Sequence, residues 1–366
     1  MTEHREVLVV GAGPGGSSAA KRLAEADVDV LMIERREIVG NPAQCGECIP
    51  LGGEMIATFP RLAGDEWLED QFDVPPHITA QRIDWMRIFS PKMREYSFEL
   101  DCISAHRVQY DGWLADRAIA AGVELRNGCE LRNVSTRGAK DVYVTSQGRI
   151  TADHVIDASG ALAHVARLRG TGGRPGDQLP TIYAQVAGDL PSSFDIFIGG
   201  IAPGGYAWII PKGDGVANVG LGMMTKNLRE PLKCSLDRFV DDMGVRLLSY
   251  GGGWIPLQGP VKRAVTDNVL AVGDACGMVM PSNGGGIGPA IVSGKYAADA
   301  ILTKDLKGYD AILERNIRGP LRISARTKRL FQAFCRGNVS TEICMRILGK
   351  SGLRRAVDCS RPLFIL

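Results

Sequence analysis

Val7-Leu8-Val9-Val10 is a short, wholly apolar run rich in β-branched residues, the pattern of a strand buried on both faces of a parallel sheet. A glycine-rich turn over 11–16 follows it, and 17–26 has helical composition. A second apolar run at 28–33 predicts the next strand and ends on Glu34. A similar fragment recurs far downstream, where apolar 269–272 runs into Gly273-Asp274-Ala275 and glycine-rich 284–288 leads to a helix predicted over 289–302. Residues 154–156 predict another strand, closing at Asp157-Ala158-Ser159-Gly160. Tyr206, Trp208 and Ile210 fall at alternate positions, which puts three large side chains on one face of a strand. The pattern predicts an α/β fold of two intertwined lobes, one a Rossmann-like nucleotide-binding lobe and the other an antiparallel-sheet substrate lobe, with a C-terminal helical cap.

Composition narrows the class. The 366 residues are 45% hydrophobic and 23% charged, ordinary for a globular protein, and no apolar run reaches the ~18–20 residues of a spanning helix. Met1–Arg5 carry no apolar signal core, so nine cysteines are expected as reduced thiols of a cytoplasmic protein. Five histidines and a single CxxC argue against a metal site. From residue 311 onward twelve Arg and Lys stand against Glu314, Glu342 and Asp358, a net of +9 on a chain whose total is +2. A basic tail on an acidic body calls for an anionic partner, and nothing calls for nucleic acid.

Gly11, Gly13 and Gly16 satisfy G-x-G-x-x-G between strand and helix: a tight turn, close approach to a pyrophosphate, and helix-on-strand packing. Glu34 closes the second strand where an acidic side chain accepts hydrogen bonds from ribose hydroxyls. The distant second element suits a cofactor too long for one βαβ unit, which favours FAD over NAD. Asp274 is then placed on the ribityl chain, and the N-terminus of the 289–302 helix stabilises charge on the reduced ring.

With these motifs together, the chain resembles flavoproteins of the p-hydroxybenzoate hydroxylase and glutathione reductase type, and among them the geranylgeranyl reductase family. Pro42-Ala43-Gln44-Cys45-Gly46-Glu47 is similar to that family's Pro-x-x-Cys-Gly/Ala-Glu segment. Arg107-Val108-Gln109-Tyr110-Asp111 is similar to its Asp-Arg-x-x-Phe-Asp motif, with His106 and Tyr110 replacing the first Asp and the Phe. Tyr206-Ala207-Trp208-Ile209-Ile210-Pro211, followed by Asn218-Val219-Gly220-Leu221-Gly222, resembles its Tyr-x-Trp-x-Phe-Pro…Gly-x-Gly signature, with Ile210 in place of Phe. The resemblance implies that Gly15, Arg35, Cys45, Gly46, Cys48, Arg107, Leu131, Gly286 and Ile287 join the cofactor site. It also implies that Tyr206 and Trp208 wall a lipid tunnel, and that an alkene of a polyprenyl lipid takes hydride from the reduced flavin and a proton from a nearby donor, Cys45 or Glu47 by position.

Alternatives stay open at this level. Cys45 can pair with Cys48, pair with Cys359, or remain free. No second dinucleotide fingerprint is present, so electrons come from a reduced nucleotide visiting the flavin or from a carrier such as ferredoxin. Arg318, Arg322, Arg326 and Arg329 recur within ~80° on one helical face, beside Ile323, Leu330 and Phe334, a candidate dock for an anionic membrane surface. The expected division is a discontinuous FAD-binding lobe at 1–60, 104–168 and 258–306, a substrate lobe at 61–103 and 169–257 entered through the 172–176 loop, and a helical region at 307–366. Rival functions on the same fold are an aromatic or quinone monooxygenase and a flavin electron-transfer subunit.

Overall fold

The computed structural model describes residues 2–137, 140–170 and 178–359, so the 172–176 loop lies outside the described residues. Two sheets carry the chain. In the first, Thr2–Val10 is central, with Val30–Ile33 and Gly148–Asp157 parallel on either side. Glu124–Arg126 and Val269–Ala271 extend it in parallel, and the hairpin of Leu131–Arg137 with Lys140–Thr145 joins through Gly148–Asp157. Val7, Leu8 and Val9 are fully buried, as an apolar run covered on both faces requires.

The second strand begins at Val30, two residues later than its apolar run. Asp27 takes a left-handed φ of 59°, and the amide of Val28 bonds back to the Leu23 carbonyl 3.3 Å away. These residues finish the preceding helix, Pro14–Ala24, before the strand can start. The downstream helix spans Ile287–Leu302, with Asp299 and Leu302 its only residues not buried. The two helices cross backbone to backbone: a Cβ on Gly294 would stand 2.3 Å from the Gly15 carbonyl oxygen.

The second sheet has eight strands, with Arg246–Pro256 at one edge and Cys48–Pro50 at the other. All neighbours are antiparallel except Phe194–Phe197 against Thr79–Phe89. Tyr206–Pro211 alternates as its pattern predicts. Ala207 and Ile209 pack with Leu236 and Phe239 of the helix Leu232–Met243, whereas Tyr206, Trp208 and Ile210 share the opposite face with Met345 and Leu353. Gly251 belongs to the edge strand, where a Cβ would collide with the Tyr183 ring at 2.2 Å. Its glycine run serves packing.

The C-terminal region is helical from Gly308–Leu313 through the wide π-type turn Glu314–Arg318 into Gly319–Phe334. It then turns into Asn338–Asp358, which kinks at Gly349. Of the expected arginine row, Arg322, Arg326 and Arg329 are exposed and Arg318 is not. Arg318 is buried on Asp310, and Arg322 forms an exposed pair with Glu314. Among the described residues no helix is long and apolar enough to cross a membrane.

Candidate active site

The nucleotide end is shaped by side chains that are missing. Gly11 has φ of +107°, and a Cβ there would stand 2.4 Å from the Ala158 carbonyl oxygen. A Cβ on Gly16 would stand 1.9 Å from the Gly11 carbonyl oxygen. Around Gly13, by contrast, no atom lies within 4 Å of an added Cβ, and the helix that begins after it has no side-chain cap. Its first N–H groups are therefore open to an anion. Glu34 is buried beside them, its two oxygens accepting from the amides of Ala12 and Arg36 at 3.0 Å each. Gly15 faces the crossing helix, with the Ala290 carbonyl oxygen 3.1 Å from an added Cβ. Arg35 is exposed, and the Leu131 side chain is buried in the apolar cluster with Val10 and Ile33.

At the far end of the same crevice, Asp274 sits in the turn Gly273–Cys276. No described residue donates a hydrogen bond to its carboxylate, which burial pushes up to about 6 against the opposing pull of Arg107. Gly286 caps the helix Ile287–Leu302 without a side-chain hydrogen bond, and an added Cβ there would crowd Asp274 Oδ1 at 3.2 Å. An unsatisfied acceptor and two uncapped helix starts in one crevice fit a dinucleotide such as FAD.

Between this crevice and the second sheet runs the loop Cys45-Gly46-Glu47. Glu47 is buried with a left-handed φ of 71°. Its Oε2 accepts from Lys212 Nζ at 2.7 Å, Gln185 Nε2 at 2.6 Å and Asn218 Nδ2 at 3.1 Å, and its Oε1 from the Arg107 amide at 3.2 Å. Burial raises its pKa, but the Lys212 charge and the donors outweigh burial and hold it below the ordinary carboxylate range. Glu47 is thus an anion with donors on every side. Cys45 differs: burial pushes its thiol up, opposed by the Arg107 guanidinium beside it. Arg107 itself is forked onto Asp111, with both oxygens at 2.8 Å from Nη2. All nine cysteines are free thiols. Cys48 Sγ lies 3.2 Å from Cys102 Sγ and Cys359 Sγ lies 3.4 Å from Ser282 Oγ, so neither turns to Cys45.

The Asn-Val-Gly of the second sheet now has a physical account. Asn218 Oδ1 accepts from Trp208 Nε1 at 2.8 Å, and its amide also reaches the Cys45 carbonyl at 3.2 Å. Gly220 makes room for the indole, because a Cβ would stand 2.4 Å from Trp208 Cζ2. Lys212 and Gln185 escaped sequence reading. Their only signal is a lone polar residue within or just after an apolar strand, which any edge or turn residue also gives.

A cavity of about 1180 Å³ opens in front of Tyr206 and Trp208. Ile88, Ile196, Ile198, Met223, Ile255 and Phe331 contribute its apolar walls, and it extends from Gly284 to the junction of the last two helices at Arg336–Asn338. The Tyr206 hydroxyl donates to the Asn283 carbonyl. Cys45, Glu47 and Ile210 do not line this cavity; the loop lies behind Trp208, whose Nε1 is 3.5 Å from an added Cβ on Gly46.

This fold and crevice define an FAD-dependent oxidoreductase, and the profile of the FAD dependent oxidoreductase family matches residues 6–193. A second profile, that of the geranylgeranyl reductase catalytic domain, matches 182–250, the segment that holds Gln185, Trp208, Lys212 and Asn218. The chain is 33% identical to digeranylgeranylglycerophospholipid reductase 2 of Methanothermobacter thermautotrophicus over 81% of its own length and 78% of the relative's. It is 32% identical to digeranylgeranylglycerophospholipid reductase 2 of Methanopyrus kandleri, over 89% and 86%. In structure it is similar to a geranylgeranyl bacteriochlorophyll reductase-like protein from Thermoplasma acidophilum, with a TM-score of 0.84 at 25% identity, covering 95% of this chain and 92% of that one. The chain belongs to the geranylgeranyl reductase family of FAD-dependent oxidoreductases.

Proposed function

We propose that this enzyme saturates C=C bonds in the geranylgeranyl chains of a membrane glycerophospholipid, and that Cys45 is its proton donor. The observation that carries the reading is the large cavity, with apolar walls at its Tyr206 and Trp208 end and charged residues such as Lys226, Arg229 and Arg238 elsewhere, that reaches Gly284 just before the helix start at Ile287. Its volume exceeds the ~300–1,000 Å³ of ordinary small-molecule pockets, as a long flexible chain requires. Gly11, Gly13, Gly16 and Glu34 would hold the adenosine and pyrophosphate end of FAD, with Asp274, Arg107 and the helix start at Ile287 at the other end. When bound and reduced by an external donor, FAD would supply the hydride.

The choice of Cys45 follows from where protons reside. Glu47 is ionised and held by donors, so it has none to give. The Tyr206 proton is committed to the Asn283 carbonyl, and the Trp208 N–H to Asn218. Cys45 stays a protonated thiol, and the Arg107 charge beside it stabilises the thiolate left once the proton has moved. Cys45 lies behind Trp208 and outside the cavity, so its proton is given on the flavin side of that indole, and Glu47, clamped by Lys212, fixes the loop that carries it. Electrons reach the flavin from ferredoxin or a reduced nucleotide, and the substrate is drawn from an anionic membrane surface on which the enzyme rests peripherally.

The test is anaerobic. Holoenzyme reduced with dithionite is mixed with a geranylgeranylated glycerophospholipid, and the flavin spectrum and lipid mass are followed. Reoxidation with a mass gain of about two hydrogens per double bond supports the reading. Flavin that stays reduced until oxygen is admitted overturns it in favour of oxygen chemistry. Cys45→Ala is expected to retain FAD while slowing reoxidation about 100-fold or more.

A further inference from the structure

The first half of the last helix, residues 338–348, turns an apolar stripe to solvent. Val339, Ile343 and Ile347 are each more than half exposed. Their spacing of four residues sets them within about 80° of one another. The other side of the same helix buries Thr341, Glu342 and Met345. Phe334, at the end of the preceding helix, and Met93, at the tip of the 90–94 turn, are also more than half exposed. The turn is tied to the stripe's helix by the Lys92 amide, which donates to Glu342 Oε2 at 3.2 Å. Single exposed apolar side chains are commonplace, but five on adjoining elements need an explanation.

Three further observations say what covers them. The turn and helices that carry the patch also carry five exposed cations, Lys92, Arg94, Arg336, Arg346 and Lys350, against the exposed Glu95. The carboxylate shared among them, Glu342, is buried beneath the helix. The patch also adjoins the cavity: Arg336, Gly337 and Asn338, between Phe334 and Val339, line it, and Asn338 Oδ1 accepts from the Gly200 amide at 2.7 Å. Finally, no described helix can span a membrane, so a lipid substrate has to be met at a surface.

We infer that this patch is the face that docks on an anionic bilayer. Phe334, Val339, Ile343, Ile347 and Met93 enter the headgroup–acyl boundary while the five cations pair with lipid phosphates. The cavity then opens at the membrane, and a prenyl chain passes from bilayer to cavity without crossing water. The inference rests on the reading of the substrate as a membrane lipid.

The experiment uses FAD-loaded full-length protein with vesicles of phosphatidylglycerol or of phosphatidylcholine. Wild type is expected to co-sediment with the first and to remain in solution with the second. Ile343→Asp combined with Ile347→Asp, at positions exposed and outside the cavity, is expected to weaken vesicle binding at least about 10-fold. Lys92→Glu combined with Lys350→Glu should weaken it about 5-fold per charge and remove the preference for anionic lipid. The Ile343/Ile347 variant should reduce detergent-dispersed geranylgeranyl lipid at the wild-type rate while losing activity on lipid held in vesicles. Vesicle binding equal to wild type in either variant overturns the inference. So does a wild-type dimer that the isoleucine changes convert to monomer, because a second copy would then cover the stripe. A wild type that binds anionic vesicles yet reduces no geranylgeranyl lipid, dispersed or embedded, leaves the dock standing and removes the proposed function.

Discussion

At the nucleotide end, Gly11 and Gly16 bring backbone so close to backbone that an added Cβ would stand 2.4 and 1.9 Å from a carbonyl oxygen. Across the loop at 45–47, the floor of the substrate side is held in the opposite way, by a buried Lys212–Glu47 pair at 2.7 Å completed by Gln185, Asn218 and the Arg107 amide. One region works by side chains that are absent, the other by charged side chains that replace water with one another. The first tolerates no added atom. The second tolerates changes of shape but not the loss of one partner, because the charge left behind has no solvent to turn to.

The sharpest way to break that comparison is a single methyl group. Gly16→Ala has to displace the Gly11 carbonyl, so it is expected to purify without flavin and to lose more than about 4 kcal/mol of stability. Gly13→Ala meets nothing within 4 Å, so the apoprotein should keep wild-type stability and lose only flavin affinity. Urea unfolding of the two apoproteins, read beside their flavin content, separates the cases. If both glycine variants unfold alike, close backbone approach is not what shapes this end.

The buried pair gives the next largest effect. Lys212→Met leaves the Glu47 anion without its counter-charge and is expected to destabilise the protein by about 3 kcal/mol at neutral pH. Glu47→Gln added to it should recover much of that loss. The sign with pH follows from the depressed Glu47 pKa: its stabilisation is full above the ordinary glutamate value of about 4.5 and disappears as pH falls through the lower folded value. The difference in urea midpoint between wild type and Glu47→Gln should therefore shrink on acidification below about 4.5. A difference that is constant with pH would mean that the pair is not ionised.

Legibility from sequence follows the same division. Glycines at 11, 13 and 16 and an acid at 34 announce themselves because a backbone site has to be contiguous in the chain. The polar cluster does not, since Glu47, Gln185, Lys212 and Asn218 come from four separate segments that meet only when the second sheet is paired. Cys45-Gly46-Glu47 and the alternation of Tyr206, Trp208 and Ile210 were readable, yet the division of labour within them was not. Glu47 reads as an acid candidate in the chain and becomes a clamped anion once Lys212 is beside it. The burial of Arg318 is illegible for a related reason: its partner Asp310 lies eight residues earlier, across a wide turn whose register the 3.6-residue period does not foresee. What did cover the tail's apolar positions depended on which face Met345 and Leu353 buried, and helical spacing alone allows several answers.

The smallest expected effect sharpens the comparison from within the flavin crevice, where one charged side chain does act. Asp274 has no hydrogen-bond donor among the described residues, and its pKa is raised by burial from 3.8 to about 6. A raised acid pKa means that the folded apoprotein holds a proton the unfolded chain releases, so this carboxylate lowers stability as pH rises from about 4 to about 6. Above that window Asp274→Asn should make the apoprotein more stable than wild type by about 1–2 kcal/mol, with the gain absent below pH ~4. Flavin affinity should move the other way, because an amide replaces an ionised acceptor with a neutral one and loses a charge-assisted bond to the ribityl hydroxyls. Calorimetry of the apoprotein at pH 4 and pH 8, paired with flavin titration, reads both terms. If the apoprotein gains nothing at pH 8, then Asp274 is satisfied without FAD, and the crevice belongs with the Glu47 cluster as a site whose charges are balanced by the protein alone.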